Sequence, residues 1–383
     1  MQSVIIGGNQ AGQRLDKFLR KVLPEAGTGF LYKMLRKKNI TLNGKKAEGS
    51  ELLSMGDQVC FFFSDETFSK FAGKMMGADE TGAAGIYKTS QLDEYNRAYR
   101  NIKGVKVIYE DEHVLILDKP AGVLTQKAAP KDVSLNEWMV GYLLNSVPGF
   151  AAELSTFRPS VCNRLDRNTS GLVLCGKSMA GLQFLSRCIR ERSIRKFYRT
   201  ICVGKLKEPA LVKGYLSKDK SRNRVRIDAA LHESGNPSTM LTEIRSTEDD
   251  RPLVKKDKRP AVTRISPDDG GEYIETAYQP ICVGEKYTLL EVELITGKPH
   301  QIRAHLAGLG HPLIGDFKYG NTKVNRSLQQ SYDLEHQLLH AFRVEFPDTE
   351  ESAGLKLSGK VITAPCPKQF ELIQEKLGLS DVR

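Results

Sequence analysis

The chain has 383 residues and carries 57 Lys or Arg against 46 Asp or Glu, which gives a formal net charge of +11. Its length allows two or three domains with a sizeable core, and the basic excess favours a polyanionic partner. The sequence has no apolar run long enough to cross a bilayer and no signal peptide pattern, so we expect a cytoplasmic protein without a membrane partner. Its seven scattered cysteines form no Cys-x-x-Cys pair, which argues against a disulfide framework and a thiolate zinc site.

Residues 1–64 form the first predicted domain. Apolar side chains at helical spacing predict one helix over Arg14–Leu23 and a second over Thr28–Lys38. The pair Asn43-Gly44 between short runs predicts a tight β-hairpin, and residues 58–63 predict a last strand. The domain is therefore expected to contain two short helices and a small β-structure.

The order of these elements resembles the S4 RNA-binding module. The second helix carries Gly29-Phe30 where S4 modules commonly have Ser-Arg, and it ends in the basic run Arg36-Lys37-Lys38. This run is either an RNA contact or a solvated basic helix end, and we favour the RNA contact. The residues that match the module are Arg14-Leu15-Asp16, Asn39-Ile40, Asn43-Gly44 and Gly56-Asp57.

Two further segments are predicted to lie outside the folded cores. Residues 65–104 form a predicted linker, because Lys70–Ser90 is rich in Gly, Ala and Lys and has poor hydrophobic periodicity. Within this linker, Leu92–Tyr99 is compatible with a short helix. Farther along the chain, the charged stretch Asp249–Gly271 predicts a surface excursion.

The main domain is predicted over residues 105–375. It opens with a hairpin whose strands lie near Val107–Tyr109 and Val114–Leu117. A helix over Leu135–Leu144 follows and contains Trp138, the only Trp of the chain. The later predicted elements are the strands Leu172–Cys175, Tyr198–Gly204, Tyr287–Ile295 and Phe342–Phe346, and the helices that run from Ser178 to Arg192 and from Lys368 to Leu377.

Asp166 is the candidate catalytic acid. It lies between Arg164 and Arg167, in a polar loop just before a predicted buried strand. Positive neighbours favour the ionised carboxylate and a rigid strand fixes its position, as catalysis by a carboxylate requires. An isolated Arg-Leu-Asp would more often be an ordinary ion pair in a loop, because such short patterns arise by chance. The assignment therefore depends on a longer pattern.

That pattern resembles the RluA-type pseudouridine synthases. Their catalytic motif usually reads His-Arg-Leu-Asp, two variable positions and Thr-Ser-Gly-Leu, and Asn163 stands here in place of the His. Three other motifs recur in the family order: Lys119-Pro120-Ala121-Gly122, Lys196-Phe197-Tyr198, and His-Gln-Ile-Arg-Ala-His over residues 300–305. The resemblance covers essentially the whole chain. It implies an α+β fold with a mixed, mainly antiparallel central sheet, flanking helices and a small S4-like pair of helices at the N-terminus.

The resemblance also implies roles for single residues. Asp166 is implied to be the nucleophile, Tyr198 the base that takes the proton from uracil C5, and Arg303 the partner of Asp166. A guanidinium suits that partner role, because it stays charged and holds a carboxylate with a fixed fork. The implied substrate-binding residues are Arg164, which would fill the space of a flipped base, Lys119, which could contact a phosphate, Lys196 and His300.

The implied activity is the isomerisation of uridine to pseudouridine in RNA. This reaction involves no redox change and no energy source, so we expect no cofactor, and the spacing of His300, His305 and His311 does not suggest a metal site. The S4-like module favours 23S-type ribosomal RNA as the partner, and we expect a monomer. The alternatives are a synthase acting on tRNA, and a non-catalytic RNA-binding or ribosome-assembly protein of the same fold. A glycoside hydrolase would need a second, paired carboxylate, and the matched motifs do not offer one.

Overall fold

The computed structural model describes residues 2–72, 89–154, 157–219, 224–234 and 271–379. Most of the Gly-rich part of the predicted linker, and the predicted surface excursion up to residue 270, lie outside these ranges. The chain divides into two compact units. Unit 1 comprises Met1–Leu117, Val123–Arg164 and Val173–Ile189, and unit 2 comprises Asp118–Gly122, Leu165–Leu172 and Arg190–Arg383.

Unit 1 begins with two helices and a small antiparallel sheet of order β1-β4-β2-β3. Asn43 and Gly44 both have positive φ, as a two-residue type I′ hairpin turn requires, so the predicted hairpin is confirmed. The helices pack their apolar faces into one core. The elements are β1 (Gln2–Ile5), α1 (Leu15–Val22), α2 (Thr28–Arg36), β2 (Ile40–Leu42), β3 (Lys45–Lys46), β4 (Gln58–Phe61) and α3 (Asp65–Ala72).

The rest of unit 1 contains a second group of helices and strands. They are α4 (Thr89–Asn101), β5 (Lys106–Glu110), β6 (Val114–Lys119), α5 (Leu135–Ser146), α6 (Phe150–Glu153), β7 (Ser160–Val161), β8 (Ser170–Gly176) and α7 (Met179–Arg190). The last two residues of β6, the first three of β8 and the last of α7 belong to unit 2. The predicted helix start at Ser178 is confirmed, because its hydroxyl accepts a hydrogen bond from the N–H of Gly181.

Helix α4 lies inside the segment predicted to be a linker, and it packs closely on α5. Tyr95 and Ala98 of α4 are buried. Gly141 of α5 permits the close approach, since a Cβ at this position would lie 2.2 Å from the carbonyl oxygen of Tyr95. The part of residues 65–104 that directly precedes β5 is therefore an integral helix of unit 1.

Unit 2 is built on a sheet whose strands follow the order β11-β10-β12-β13-β9-β14, with antiparallel neighbours throughout. On the far side of β14, β15 pairs antiparallel and the first residues of β8 pair parallel. The predicted mixed, mainly antiparallel α+β fold is thus confirmed. The elements are β9 (Arg195–Val203), β10 (Ala210–Asp219), β11 (Arg224–Ser234), β12 (Glu272–Val283), β13 (Tyr287–Leu294), α8 (Gln301–Gly308), α9 (Thr322–Tyr332), β14 (Leu339–Glu345), α10 (Glu350–Gly354), β15 (Val361–Thr363) and α11 (Lys368–Lys376).

The core of unit 2 forms where α11 covers the sheet. Phe370 and Ile373 of α11 are buried against Ile201 of β9 and Leu289 of β13. Both strands are therefore held rigidly along their length. No helix among the described residues is long and apolar enough to cross a membrane.

Candidate active site

Asp166 lies in unit 2, in a turn. The backbone N–H of Thr169 closes this turn by donating a hydrogen bond of 3.1 Å to the carbonyl oxygen of Asp166. The side chain of Asp166 is 26% exposed, so it is accessible to a substrate and yet supported by protein. Its Oδ2 accepts a hydrogen bond of 2.9 Å from Nη1 of Arg303. The two residues that the sequence predicted as partners are therefore in contact.

The residues after Asp166 explain why a Thr-Ser-Gly sequence follows the acid. The hydroxyl of Thr169 accepts a hydrogen bond from Gln337, at 3.3 Å, and the hydroxyl of Ser170 lies 2.9 Å from Nδ1 of His340. At Gly171, φ is +111° and a Cβ would lie 2.2 Å from the carbonyl oxygen of Ala341. These three positions thus fasten the start of β8 to β14, and this fixes the loop that carries Asp166.

Lys119 supports the same loop through hydrogen bonds. Its position does not favour the predicted contact with an RNA phosphate. Its side chain is fully buried, and Nζ donates to the carbonyl oxygens of Pro120, at 2.9 Å, and Arg167, at 3.0 Å. Burial lowers the pKa of Lys119 to about 7, although the charges of Asp166 and Asp118 work in the opposite direction. Lys119 therefore anchors Arg167, the residue that follows Asp166.

The fork of Arg303 does not hold Asp166, and this corrects the sequence-based expectation. Nε and Nη2 of Arg303 donate to the two carboxylate oxygens of Asp316, at 2.8 and 2.9 Å, so that the bidentate pair forms there. Asp166 receives the single remaining bond from Nη1. The guanidinium also lies 5.3 Å from the ring centre of Tyr319. Arg303 is therefore held by Asp316 and presented to Asp166.

Asp316 is a site residue to which sequence reasoning assigned no role. It is fully buried, and its Oδ1 also accepts hydrogen bonds from the backbone N–H groups of Lys318 and Tyr319, at 2.9 and 3.1 Å. Burial would raise the pKa of Asp316, but the hydrogen bonds and the charge of Arg303 outweigh it and hold this pKa below its usual value. The Gly-Asp pair at 315–316 was the signal that could have revealed it.

Burial by itself would lower the pKa of Arg303. The hydrogen bonds and charges of Asp316, and after them those of Asp166, outweigh burial and raise this pKa above its usual value. Arg303 consequently stays positively charged at every pH at which the protein is folded. A permanent cation at this point stabilises the ionised form of a neighbouring carboxylate.

His300 was predicted to bind substrate, and it lies at the edge of the same site. It precedes α8 in the left-handed conformation, with φ of 57°. Its Nε2 is 3.9 Å from Oδ2 of Asp166, and its Nδ1 is 2.9 Å from the hydroxyl of Tyr319 and 3.4 Å from Nζ of Lys318. Burial lowers the pKa of His300. The neutral ring then accepts hydrogen bonds at Nδ1 and carries its proton on Nε2, on the side that faces Asp166.

A buried polar network fixes the start of α8, on which Arg303 lies. The amide of Gln301 donates to the carbonyl oxygen of Glu275 and to the hydroxyl of Thr276, and its oxygen accepts from the hydroxyl of Thr296. The hydroxyl of Thr276 in turn lies 2.9 Å from Nδ1 of His305, whose pKa burial lowers to about 4. These hydrogen bonds tie the start of α8 to β12 and to Thr296, and they favour one orientation of the helix.

Tyr198 lies in the middle of β9, between Val292 of β13 and Ala341 of β14. Its side chain is 5% exposed. Burial, and after it the negative charge of Asp166, raise the pKa of Tyr198 well above its usual value. The phenol is therefore neutral around pH 7, and Asp166 is near enough to act on it electrostatically.

The other predicted substrate-binding residues occupy different environments. Arg164 is exposed and belongs to unit 1. Lys196 of β9 is 8% exposed, and burial lowers its pKa. Arg164 is thus accessible to RNA, whereas Lys196 lies mostly beneath the surface of unit 2.

The described residues contain no group of three or more His, Cys, Asp or Glu that could hold a metal ion. Each of the three histidines of the motif region has another partner near its Nδ1, which is Tyr319 for His300, Thr276 for His305 and the carbonyl oxygen of Val203 for His311. The chemistry available at this site is that of one accessible carboxylate, a fixed cation and a neutral phenol.

Comparison with known proteins relates the chain to enzymes of one kind. Residues 113–308 match a family model described as RNA pseudouridylate synthase. The chain is 25% identical to the "Ribosomal large subunit pseudouridine synthase C" of Vibrio vulnificus, over 99% of this chain and 98% of that protein. It is also 25% identical to the "Ribosomal large subunit pseudouridine synthase D" of Neisseria meningitidis serogroup B, over 94% of this chain and 77% of that protein.

A solved structure gives the same indication for the fold. The structure titled "Human RNA Pseudouridylate Synthase Domain Containing 4" superposes with a TM-score of 0.52 and covers 76% of this chain and 98% of its own. The sequences are 18% identical, so this likeness concerns the fold alone. It agrees with the mixed sheet and flanking helices described above.

Proposed function

This chain belongs to the RNA pseudouridylate synthase family, and on that premise we propose that it isomerises uridine to pseudouridine in large-subunit ribosomal RNA, with Asp166 as the nucleophile. The reaction breaks the bond between ribose C1′ and uracil N1 and joins C1′ to C5 of the same base. One proton leaves C5 and one is gained at N1, so atoms and electrons balance without a cofactor.

The choice of RNA is supported by the relatives and by charge. Two relatives that align with nearly the whole chain are named as synthases of the ribosomal large subunit. The net charge of +11 favours binding to a polyanion, because Lys and Arg that neutralise phosphates release counterions. Exposed Arg164, two residues before the acid, is suited to fill the space that a flipped uridine leaves in its stack.

The observation that carries the proposal is the environment of Asp166. It is a partly exposed carboxylate that one N–H of Arg303 holds at 2.9 Å, in a loop fastened by Lys119 and by the start of β8. Such a carboxylate is oriented and reachable, as a nucleophile must be. It can attack either ribose C1′ or uracil C6, and both routes end in the same exchange of bonds.

Tyr198 is proposed to take part in removing the proton from C5. Since its pKa is raised, the phenol carries its own proton and has to release that proton as it accepts another. Once C1′ has joined C5 and the covalent bond to Asp166 has broken, the carboxylate of Asp166 is free again and is the acceptor that the site offers for this proton. The detached uracil would pack against the phenol ring meanwhile, which keeps it near C1′ while it turns.

The experiment that tests this function uses large-subunit ribosomal RNA transcribed with tritium at C5 of uridine. Each isomerisation exchanges the C5 hydrogen with water, so tritium release counts turnovers. The wild-type chain is expected to release tritium, and its Asp166→Asn variant is expected to release none above background. Equal release by the two proteins would show that Asp166 is not the nucleophile.

A transfer RNA transcript labelled in the same way separates the alternatives. Release from tRNA, without release from ribosomal RNA, would make the chain a tRNA synthase. Binding to ribosomal RNA without tritium release from either RNA would favour a non-catalytic binding protein. Mapping pseudouridine in cells with and without the gene would then identify the modified position.

We also propose the division of labour along the chain. Residues 1–64 supply affinity for RNA and residues 105–375 supply the chemistry, with residues 65–104 between them. Because α4 packs on α5, a truncation that tests this division has to end before residue 89. The seven cysteines are free, which suits a protein that works as a monomer in the reducing cytoplasm.

A further inference from the structure

The loop from Gly315 to Gly320 is held by hydrogen bonds that centre on Asp316. The carboxylate of Asp316 accepts two backbone N–H groups of the loop, and the carbonyl oxygen of Asp316 accepts the N–H of Gly320 at 2.8 Å and the side chain of Asn325 at 2.9 Å. At Gly315 and Gly320, a Cβ would lie 2.1 Å and 2.2 Å from carbonyl oxygens. The loop therefore has one conformation, fixed before any substrate binds.

Phe317 lies in the middle of this loop and points its ring into solvent. Its relative exposure is 46%, while its neighbour Asp316 is fully buried. Within residues 311–320, all of which the structure describes, Phe317 is the one exposed residue. Single exposed apolar residues are common and need no explanation by themselves. A large aromatic ring that is exposed in the loop that positions Arg303 is a more specific arrangement.

Phe317 is tied to the catalytic site through short contacts. Asp316, directly before it, binds the fork of Arg303, and Arg303 binds Asp166. Tyr319, two residues after it, contacts His300 at 2.9 Å, and His300 faces Asp166. Contacts of residues on both sides of Phe317 in the sequence thus connect its loop to Asp166.

We propose that Phe317 is an RNA-binding residue on which an unpaired base next to the target uridine stacks. The proposal rests on the proposed function, since a flipped uridine leaves its neighbours without one stacking partner. Proteins recognise such unstacked bases on aromatic rings, and an apolar ring serves every base because each has a π-face. The rigid loop makes this platform available without a loss of loop entropy on binding.

The test compares Phe317→Ala, Phe317→Leu and Phe317→Tyr in the full chain, with initial rates of tritium release over a range of ribosomal RNA concentrations. Phe317→Ala and Phe317→Leu are expected to lower kcat/KM about tenfold, or ~1.4 kcal/mol, mainly through a higher KM. Phe317→Tyr keeps a ring and is expected to stay within about twofold of wild type. If Phe317 only filled space, the order of kcat/KM among the variants would be reversed, and Phe317→Leu would be close to wild type.

Leu372→Ala is the matched control, because Leu372 of α11 in the same unit has the same exposure of 46%. It is expected to leave kcat/KM unchanged. If Phe317→Ala or Phe317→Leu also matched wild type in KM, or if Phe317→Tyr were as impaired as Phe317→Ala, the stacking role would be overturned.

A binding experiment keeps this inference separate from the proposed ribosomal substrate. Affinity for a fluorescently labelled single-stranded oligouridylate is measured by anisotropy for the same four proteins and wild type. The alanine and leucine variants are expected to bind about tenfold more weakly than wild type and Phe317→Tyr. Equal affinities would overturn the stacking role, whereas absent tritium release from ribosomal RNA by wild type would contradict only the proposed substrate.

Discussion

Two loops of unit 2 each hold an aspartate against the guanidinium of Arg303. The two acids differ in how exposed they are to solvent and in how many hydrogen bonds they accept. In the loop at 165–169, Asp166 keeps 26% of its side chain exposed and accepts one hydrogen bond from Arg303. In the loop at 315–320, Asp316 is fully buried and accepts two hydrogen bonds from Arg303 and two from backbone N–H groups. The same cation thus serves one accessible acid and one that is enclosed.

This difference assigns the two acids to different tasks. A carboxylate whose lone pairs are taken up by four donors in a closed environment has little left with which to attack a substrate. Asp316 therefore fixes Arg303, and Arg303 in turn orients Asp166. Each prediction below changes one member of this arrangement and asks whether chemistry or folding is lost.

The largest effect is expected for Asp166→Asn. Removing the nucleophile should lower the rate of tritium release by a factor on the order of 10⁴, as loss of a central catalytic group does in other enzymes. The free energy of unfolding should change by no more than about 1 kcal/mol, since a partly exposed carboxylate with one partner contributes little to stability. A variant that lost stability along with activity would show that Asp166, like Asp316, holds the structure.

The second-largest effect is expected for Tyr198→Phe. This variant should lower the rate of tritium release by roughly 10²–10⁴-fold, the usual contribution of a group that transfers a proton in the transition state. The ring remains, so RNA affinity should stay near that of wild type. The raised pKa of Tyr198 also predicts that wild-type turnover does not climb between pH 8 and pH 10, because the phenolate does not form there. A rate that rose with the usual pKa of a tyrosine would contradict a neutral phenol.

Asp316→Asn tests the other loop and should act mainly on stability. Breaking a buried, hydrogen-bonded pair from one side leaves the charge of Arg303 without its main partner, at a cost of about 3–5 kcal/mol. The folded-state pKa of Asp316 is lowered, so its contribution is complete above the unfolded-state pKa and is lost as pH falls through the folded-state value. Denaturant unfolding at pH 7 and in acid should therefore show the difference between wild type and variant shrinking in acid.

Arg303→Lys sharpens the comparison, because an ammonium cannot bind Asp316 through a fork and Asp166 through a third N–H at once. We expect kcat to fall roughly 100-fold, as it does when a catalytic group is misplaced by about 1 Å. Asp316→Asn and Arg303→Lys should be far from additive when combined, since they act on one unit. Additive losses would mean that Arg303 and Asp316 act separately.

The sequence predicted those features that depend on local patterns. The hairpin at Asn43-Gly44 follows from turn chemistry, and the contact between Asp166 and Arg303 follows from motifs that stand together in the family. The strand β9 begins at Arg195, earlier than predicted, because Arg195 pairs with Glu293 and Glu345 of neighbouring strands. From the sequence alone, the adjacent charges of Arg195 and Lys196 favour a loop, because the acidic partners of Arg195 lie far away in the sequence.

Other features could not be read because their partners are main-chain atoms or distant residues. A lysine is normally exposed, and the burial of Lys119 becomes understandable only from the carbonyl oxygens of Pro120 and Arg167. In the linker the sequence predicts no more than a short helix over Leu92–Tyr99, because this segment has few apolar residues. The helix α4 is longer, and its stability comes from close packing on Gly141. The sequence places Asp316 directly after Gly315, but the role of this acid depends on a guanidinium that only the fold brings to it.

The smallest effect is expected in unit 1, at the basic end of α2. Lys37 and Lys38 are exposed, and the double variant Lys37→Gln/Lys38→Gln should bind ribosomal RNA a few-fold more weakly while kcat stays unchanged. If each lysine contacts a phosphate, the slope of log K against log salt should become shallower by about 1.4 to 1.8. The control, Lys368→Gln/Lys376→Gln, removes two exposed charges from α11 instead. Equal slopes for the two double variants would mean that net charge alone attracts the RNA, and that the first 64 residues have a structural role.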